Sequence, residues 1–167
     1  MPKNLEIKVK LNSHKEIKET LMQNKIKLKE VLHQKDIYYE ANTGLLKLRI
    51  ENKINTLIYY DRNEKSVKRW SDYHIFEFGK TDPNQFLSRF LDIVITVKKK
   101  RELYIYKNTR IHLDSVEGLG YFLELEARVV AGLKDAEKRF KYLMDLFDLH
   151  CKKEIRASYK DILLSKK

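Results

Sequence analysis

Cysteine occurs once in this chain, as Cys151, so no intrachain disulfide can form. A reducing compartment is the natural expectation. Glycine and proline are scarce too, with five and two residues in 167. No linker, internal repeat or low-complexity tract is present, which predicts one compact domain over 1–167. Long apolar runs are missing. No stretch approaches the roughly 20 residues of a transmembrane helix, and the opening MPKNLEIKVKL has no apolar signal core. The expectation is a soluble, cytoplasmic protein without a membrane partner. The chain also lacks zinc-finger spacing, an RNA-recognition signature, a P-loop and a Ser-His-Asp constellation.

Charge is plentiful. Residues of the D/E/K/R set make up 35% of the chain, and the formal charge is +11. Anions of some kind are therefore the expected partners, whether nucleic acid, acidic membrane or phosphorylated small molecules. The excess is not gathered into a tail; its densest short run, Lys98–Arg101, lies inside a strand-like segment. That placement argues against a basic nucleic-acid arm. With 43% hydrophobic residues the chain can still bury a substantial core.

Segment 4–11 alternates: Asn4, Glu6, Lys8 and Lys10 on one face, Leu5, Ile7, Val9 and Leu11 on the other. Period-2 alternation of this kind reads as a half-buried strand. Strand character returns over 27–33, 36–40, 45–51, 56–62, 72–78, 93–106, 109–114 and 121–130. Helices are expected from Ser13, with Glu16 completing a capping box, from Asp82-Pro83 with a core face of Phe86, Leu87, Phe90 and Leu91, over about 134–148, and near 158–164. Many antiparallel strands with a few interspersed helices predict an α+β fold on a large antiparallel sheet or barrel.

The polar strand faces collect seven bases, Lys8, Lys47, Arg49, Arg62, Lys99, Arg101 and Arg110, and four acids, Glu6, Asp114, Glu124 and Glu126. Alternation alone leaves two readings open. These faces are either solvated or they line an enclosed cavity. The acids dominate 114–126 and the bases 47–62 and 98–110, and the helices need the opposite faces for their own burial; both points weigh against simple solvation. If one cavity holds them, the clustered carboxylates repel one another, and a hard divalent cation such as Mg²⁺ or Mn²⁺ relieves that repulsion. The bases then face a polyanion, with Arg offering forked contacts and Lys a point charge. A triphosphate carrying metal is a ligand of that kind.

These blocks resemble the CYTH superfamily, the triphosphate tunnel metalloenzymes that include class IV adenylyl cyclases, thiamine triphosphatases and inorganic triphosphatases. NLEIK (4–8) stands where the family carries Glu-x-Glu-x-Lys. GLLKLRI (44–50), IYYDR (58–62), SDY (71–73), VKKKREL (97–103), RIHLDSVEGLGYFLELEA and SYKDILL (158–164) follow in the family's order. The resemblance covers nearly the whole chain. It implies a closed eight-stranded antiparallel barrel with flanking helices, whose polar faces point inward. It implies that Lys8, Lys47, Arg49, Arg62, Lys99, Arg101 and Arg110 hold a triphosphate, and that Glu6, Asp114, Glu124 and Glu126 hold Mg²⁺ or Mn²⁺. Lys8, Arg49 and Glu126 become the expected catalytic residues, and a homodimer is admitted by the family. One departure stands out: the first signature Glu is Asn4 here. An amide is a neutral, weaker metal ligand and cannot act as a base.

The expected function is therefore metal-dependent chemistry on a triphosphate, class IV adenylyl cyclase-like, making cyclic AMP and pyrophosphate from ATP. Hydrolysis of thiamine triphosphate, a nucleoside triphosphate or inorganic triphosphate is the alternative. A non-catalytic module binding polyphosphate or RNA is a second alternative, favoured by Asn4. Nucleic acid is otherwise not the expected partner. His112 shares a strand face with Arg110 and Asp114 and is expected to make a structural hydrogen bond; Lys98 and Lys100 are expected to face solvent; Trp70 is a weak candidate for stacking on a ring.

Overall fold

The structure, a computed structural model, describes residues 4–52, 54–62, 71–79 and 81–166, with backbone alone for 61–62, 71–73 and 79. Alternation builds β1 (Asn4–Leu11), and α1 (Lys15–Gln23) follows it. Then come β2 (Leu28–Tyr39), β3 (Leu45–Glu51), β4 (Ile54–Arg62) and β5 (Ser71–Gly79). The one-turn helix α2 (Asn84–Leu87) leads into β6 (Ile93–Tyr106), β7 (Thr109–Val116) and β8 (Gly120–Arg128), and α3 (Leu133–Leu146) and α4 (Tyr159–Leu164) close the order. All pairings are antiparallel, in one sheet of order β1-β8-β7-β6-β2-β3-β4-β5. The α+β class and the eight antiparallel strands agree with the sequence. Among the described residues, no helix is long and apolar enough to cross a membrane.

The expected closure of the barrel is corrected. No ladder joins β1 to β5 among the described residues, so the sheet is open. The reason lies at the free edge of β1. The C-terminal segment pairs there, through a Val9–Glu154 bridge and a hydrogen bond from the Ile155 amide to the Lys8 carbonyl at 2.8 Å. That edge is the one β5 needs for closure, and an edge donor or acceptor already paired cannot serve a second strand. The sheet nevertheless curls, because residues from all eight strands line one cavity.

The outer faces of β1, β7 and β8 supply Ile7, Val9, Ile111, Leu113, Leu123 and Leu125, packed against Ile17 and Leu21 of α1 and Leu143 of α3. Burying each such side chain contributes about 1.5–3 kcal/mol. Ile37, Tyr39 and Leu48 form a separate outer cluster with Leu87 and Leu91. Phe122, Tyr159, Val116 and Leu119 plug one end of the inner face.

Three local expectations change. The strands expected over 27–33 and 36–40 are a single β2, since its pairing with β6 runs through Gln34↔Lys99 and Lys35↔Lys98 without a break. The helix start at Ser13 has no capping box: His14 is the cap residue, buried, with Nε2 3.2 Å from the Phe122 carbonyl. The box forms instead at Ser158 with Asp161. Finally, α2 spans four residues, too few to present a continuous face; Leu87 and Leu91 pack inward while Phe86 and Phe90 are 64% and 69% exposed.

Candidate active site

Side chains alternate across a strand, so the outward packing of Leu5, Ile7 and Val9 turns Asn4, Glu6 and Lys8 inward. The same rule turns Gln34, Asp36 and Tyr38 of β2, Lys47, Arg49 and Glu51 of β3, Lys99 and Arg101 of β6, Arg110, His112 and Asp114 of β7, and Glu124 and Glu126 of β8 to that face. Apart from Glu6, Asp36 and Asp114, these residues line a cavity of about 630 Å³. Register fixes the neighbours: Glu6 lies opposite Glu126, Lys8 opposite Glu124, His112 opposite Glu124, and Arg101 opposite Asp114.

Two buried carboxylates organise the bases. Asp36 accepts from Lys47 Nζ at 2.9 Å and takes a forked pair from Arg49, Nε at 2.7 Å and Nη2 at 2.8 Å. Asp114 takes a forked pair from Arg101, both contacts at 2.6 Å, a hydrogen bond from the Tyr159 hydroxyl at 2.9 Å, and the Lys99 ammonium at 3.5 Å. Such geometry is what burial of charge demands. Burial alone would raise the pKa of both acids, but Arg49 and Lys47 hold Asp36 well below the usual carboxylate range, and Arg101 and Lys99 do the same to Asp114. Burial, reinforced by Arg49, pushes Lys47 down to about 7 against the pull of Asp36; burial and Arg101 push Lys99 down to about 8. The cluster thus carries more cation than its own acids balance comfortably.

Tyr159 of α4 completes the wall. Its ring lies under Lys8 Nζ at 4.5 Å and Lys99 Nζ at 5.0 Å, cation–π distances that orient both ammoniums. Lys8 also donates to the Ala157 carbonyl at 2.6 Å. On the acidic side, Asn4 Nδ2 donates to Glu126 Oε1 at 2.5 Å, and Arg110 Nη1 lies 3.5 Å from Glu126 Oε2. Asn4 therefore uses the one ability a Glu lacks, donating a hydrogen bond to a carboxylate. Glu124 is reached by Arg101 at 3.4 Å; burial, the largest single effect, would raise it, yet Arg101 together with Lys8 and the neighbouring His112 holds it at about 2. His112 is 4% exposed, with Nδ1 unpartnered. Burial and then Arg101 keep its pKa well below the usual range, so the imidazole is neutral. The structural hydrogen bond expected of His112 is not made at Nδ1.

Of the sequence-predicted site, Glu6, Lys8, Lys47, Arg49, Lys99, Arg101, Arg110, Asp114, Glu124 and Glu126 all lie on this inner face. Arg62 ends β4 opposite Ser71, and its side chain, like that of Tyr73, lies outside the described residues, as does Trp70. Asp114 has both oxygens engaged by Arg101, Lys99 and Tyr159. Glu6, Glu124 and Glu126 are carboxylates on the same face of two adjacent strands, and oxygen donors are the kind that suits Mg²⁺ or Mn²⁺. Among the described residues, no three acidic, His or Cys side chains converge on one point as they stand. Sequence reasoning missed Asp36, because β2 was read as two strands and its register was lost. It also passed over Gln34, whose amide donates to Glu51 and whose Oε1 is buried without a partner. Tyr159 was legible only as part of the C-terminal block.

This chain is 26% identical to a Methanocaldococcus jannaschii protein bearing the name "putative adenylate cyclase", across 95% of this chain and 97% of that one. Its fold is shared with a Pyrococcus horikoshii protein at a TM-score of 0.81 and 22% identity, over 95% and 98% of the two chains. A Hippeastrum protein shares it at a TM-score of 0.68 and 11% identity, over 100% and 97%. The inward-facing bases and carboxylates stand on the blocks whose order resembled one family, and the match to that family over residues 2–153 places the chain in the CYTH domain family.

Proposed function

We propose that this protein is a divalent-metal-dependent enzyme that binds a triphosphate along the inner face of the sheet and cleaves it there. One observation carries this: four buried bases, Lys8, Lys47, Lys99 and Arg101, and the half-buried Arg49 line one cavity opposite Glu124 and Glu126. The bases neutralise the phosphates and hold them in line, which lowers the barrier by positioning and by preorganised charge. Lys8 and Arg49 stand at the two sides of this cradle and touch the transferred group. Glu6, Glu124 and Glu126 would hold Mg²⁺ or Mn²⁺, whose chemistry when bound is neutralisation and polarisation of phosphoryl oxygens. Asn4 and Arg110 orient Glu126, while Asp114 keeps Arg101 and Tyr159 in place.

The leading reaction is cyclase-like, with the ribose 3′-hydroxyl of ATP attacking the α-phosphorus and pyrophosphate leaving; the similarity to the M. jannaschii protein supports it. Hydrolysis of a nucleoside, thiamine or inorganic triphosphate is the second reading. It is favoured by the Hippeastrum protein of shared fold, a "putative adenylyl cyclase" with a dominant triphosphatase activity.

Incubating the protein with Mg²⁺ or Mn²⁺ and ATP, thiamine triphosphate or inorganic triphosphate separates the two by product: cyclic AMP with pyrophosphate, or orthophosphate. Glu126→Gln should lower turnover by roughly tenfold or more with the melting temperature kept. Lys8→Ala should weaken triphosphate binding by about tenfold, the loss of one charge-assisted contact. Normal turnover in both variants would remove the site assignment. Tight binding with no product from any substrate would make this a polyanion-binding module.

A further inference from the structure

The outer face of the sheet carries a second basic feature that the inner site does not use. Strand β6 alternates, so Lys99 and Arg101 point inward while Lys98 and Lys100 point out. Across the ladder, Lys98 faces Lys35 and Lys100 faces His33. All four are exposed, with the side chains of Lys98 and Lys100 at 59% and 49%. Like charges placed directly opposite on one sheet face are destabilising. Lys35 and His33 have no polar partner among the described residues, and the contacts of Lys98 to Glu117 and of Lys100 to Glu102 are long, 3.9 Å each. These residues are not on a flat surface. They line a groove of about 670 Å³ bounded by Ile50, Ser115 and Tyr121, on a stretch of sheet between the outer helix-packed clusters.

We propose that this groove is a second anion site, one that takes a compact oligophosphate with at least two phosphoryl groups. The spacing is set by the sheet: Lys98 and Lys100 are about 7 Å apart along the strand, and Lys35 lies about 5 Å away across it. Three ammoniums on so small a patch match adjacent phosphoryl groups, to which Lys binds as a point charge. A nucleic-acid strand needs a longer basic track. Here the track is closed at both ends by carboxylates: Glu117 beyond Lys98, and Glu102, held by Lys18 at 2.8 Å, beyond Lys100. Those carboxylates repel an extended phosphodiester backbone and leave room for a short anion. The site lies back to back with Lys99 and Gln34, separated from the inner cavity by one strand thickness.

Calorimetric titration of the whole chain with pyrophosphate, inorganic triphosphate and ATP, without divalent metal, tests this. Two classes of site are expected for pyrophosphate and for inorganic triphosphate. Binding of ATP only at the inner class would place free oligophosphate, and not a nucleotide tail, in the groove. The combined substitution Lys35→Ala, Lys98→Ala and Lys100→Ala should weaken the second class by roughly tenfold or more and leave the first unchanged; Arg at the same three positions should restore it. Melting temperatures identify any variant that fails to fold. A single class of site in the wild type for pyrophosphate and for inorganic triphosphate, or a second class that survives the alanine variant, overturns the proposal. So does a groove that binds a single-stranded RNA oligonucleotide while ignoring pyrophosphate.

Discussion

Asp36 shows how one side chain sets the state of several others. It is 2% exposed and holds Lys47 and Arg49 through three contacts of 2.7–2.9 Å. Removing its charge leaves the buried Lys47 and the half-buried Arg49 without their shared anion. Asp36→Asn should destabilise the empty protein by about 3–5 kcal/mol, the usual cost of orphaning a buried charge. A bound triphosphate supplies the missing anion, so the same variant should show a larger rise in melting temperature on adding triphosphate than the wild type does. Thermal melts with and without inorganic triphosphate read both effects; an equal ligand shift in the two proteins would mean Asp36 does not share the phosphate's partners. At this scale the sequence was informative where alternation was unbroken. Lys8, Lys47, Arg49, Lys99, Arg101, Glu124 and Glu126 all occupy the face their period-2 position predicted. It was silent on which acids are free. Asp114 and Glu124 look alike in a strand pattern, yet the first is locked under Arg101 and Tyr159 and the second faces the cavity.

At the level of elements, α4 is the shortest route by which a distant segment enters the site. Ser158 caps it by accepting from the Asp161 amide at 3.1 Å, and Asp161 in turn accepts from the Ser158 amide at 3.1 Å. The cap aims the next residue, Tyr159, at Asp114 and beneath Lys8 and Lys99. Ser158→Ala should cost about 1 kcal/mol of stability. It should also weaken triphosphate binding, because the ring that orients two lysines is released; an unchanged affinity alongside a lowered melting temperature would confine the cap to a structural role. The capping box was expected at Ser13 and forms instead at Ser158, where the sequence reading expected only a short helix. His14 is drawn into β8 by its contact with the Phe122 carbonyl, and that tertiary contact takes over the helix start. Likewise β2 reads as two strands from its polar middle, but the ladder with β6 carries it through.

For the whole molecule, the curled sheet concentrates cations that are spread over the chain. The consequence is a pH dependence with a definite sign. Lys47 and Lys99 have folded pKa values of about 7 and about 8, below their ordinary value of 10.5. In the empty protein both lose protons as pH rises through that range, while a bound polyanion favours the protonated forms. Triphosphate binding should therefore take up protons near pH 8, and affinity should fall as pH rises from about 7 to about 9. Calorimetry in buffers of different ionisation enthalpy measures the uptake. Proton release, or none, would mean the lysines stay charged in the empty cavity.

Period-2 patterning is local, and it alone determined that these residues form strands, which side chains share a face, and that one face is basic. The choice between solvent and cavity for that face is not local. It depended on the helices burying the opposite face, and only the tertiary structure made it. The same holds for closure. Strand count and order are compatible with a barrel, but the C-terminal segment competes for the hydrogen-bonding edge of β1, and no pattern within β1 or β5 records which partner wins. Pairings between residues far apart in sequence, such as Tyr159 with Asp114, come from chain segments meeting in space. They decide which charges are free to meet a ligand.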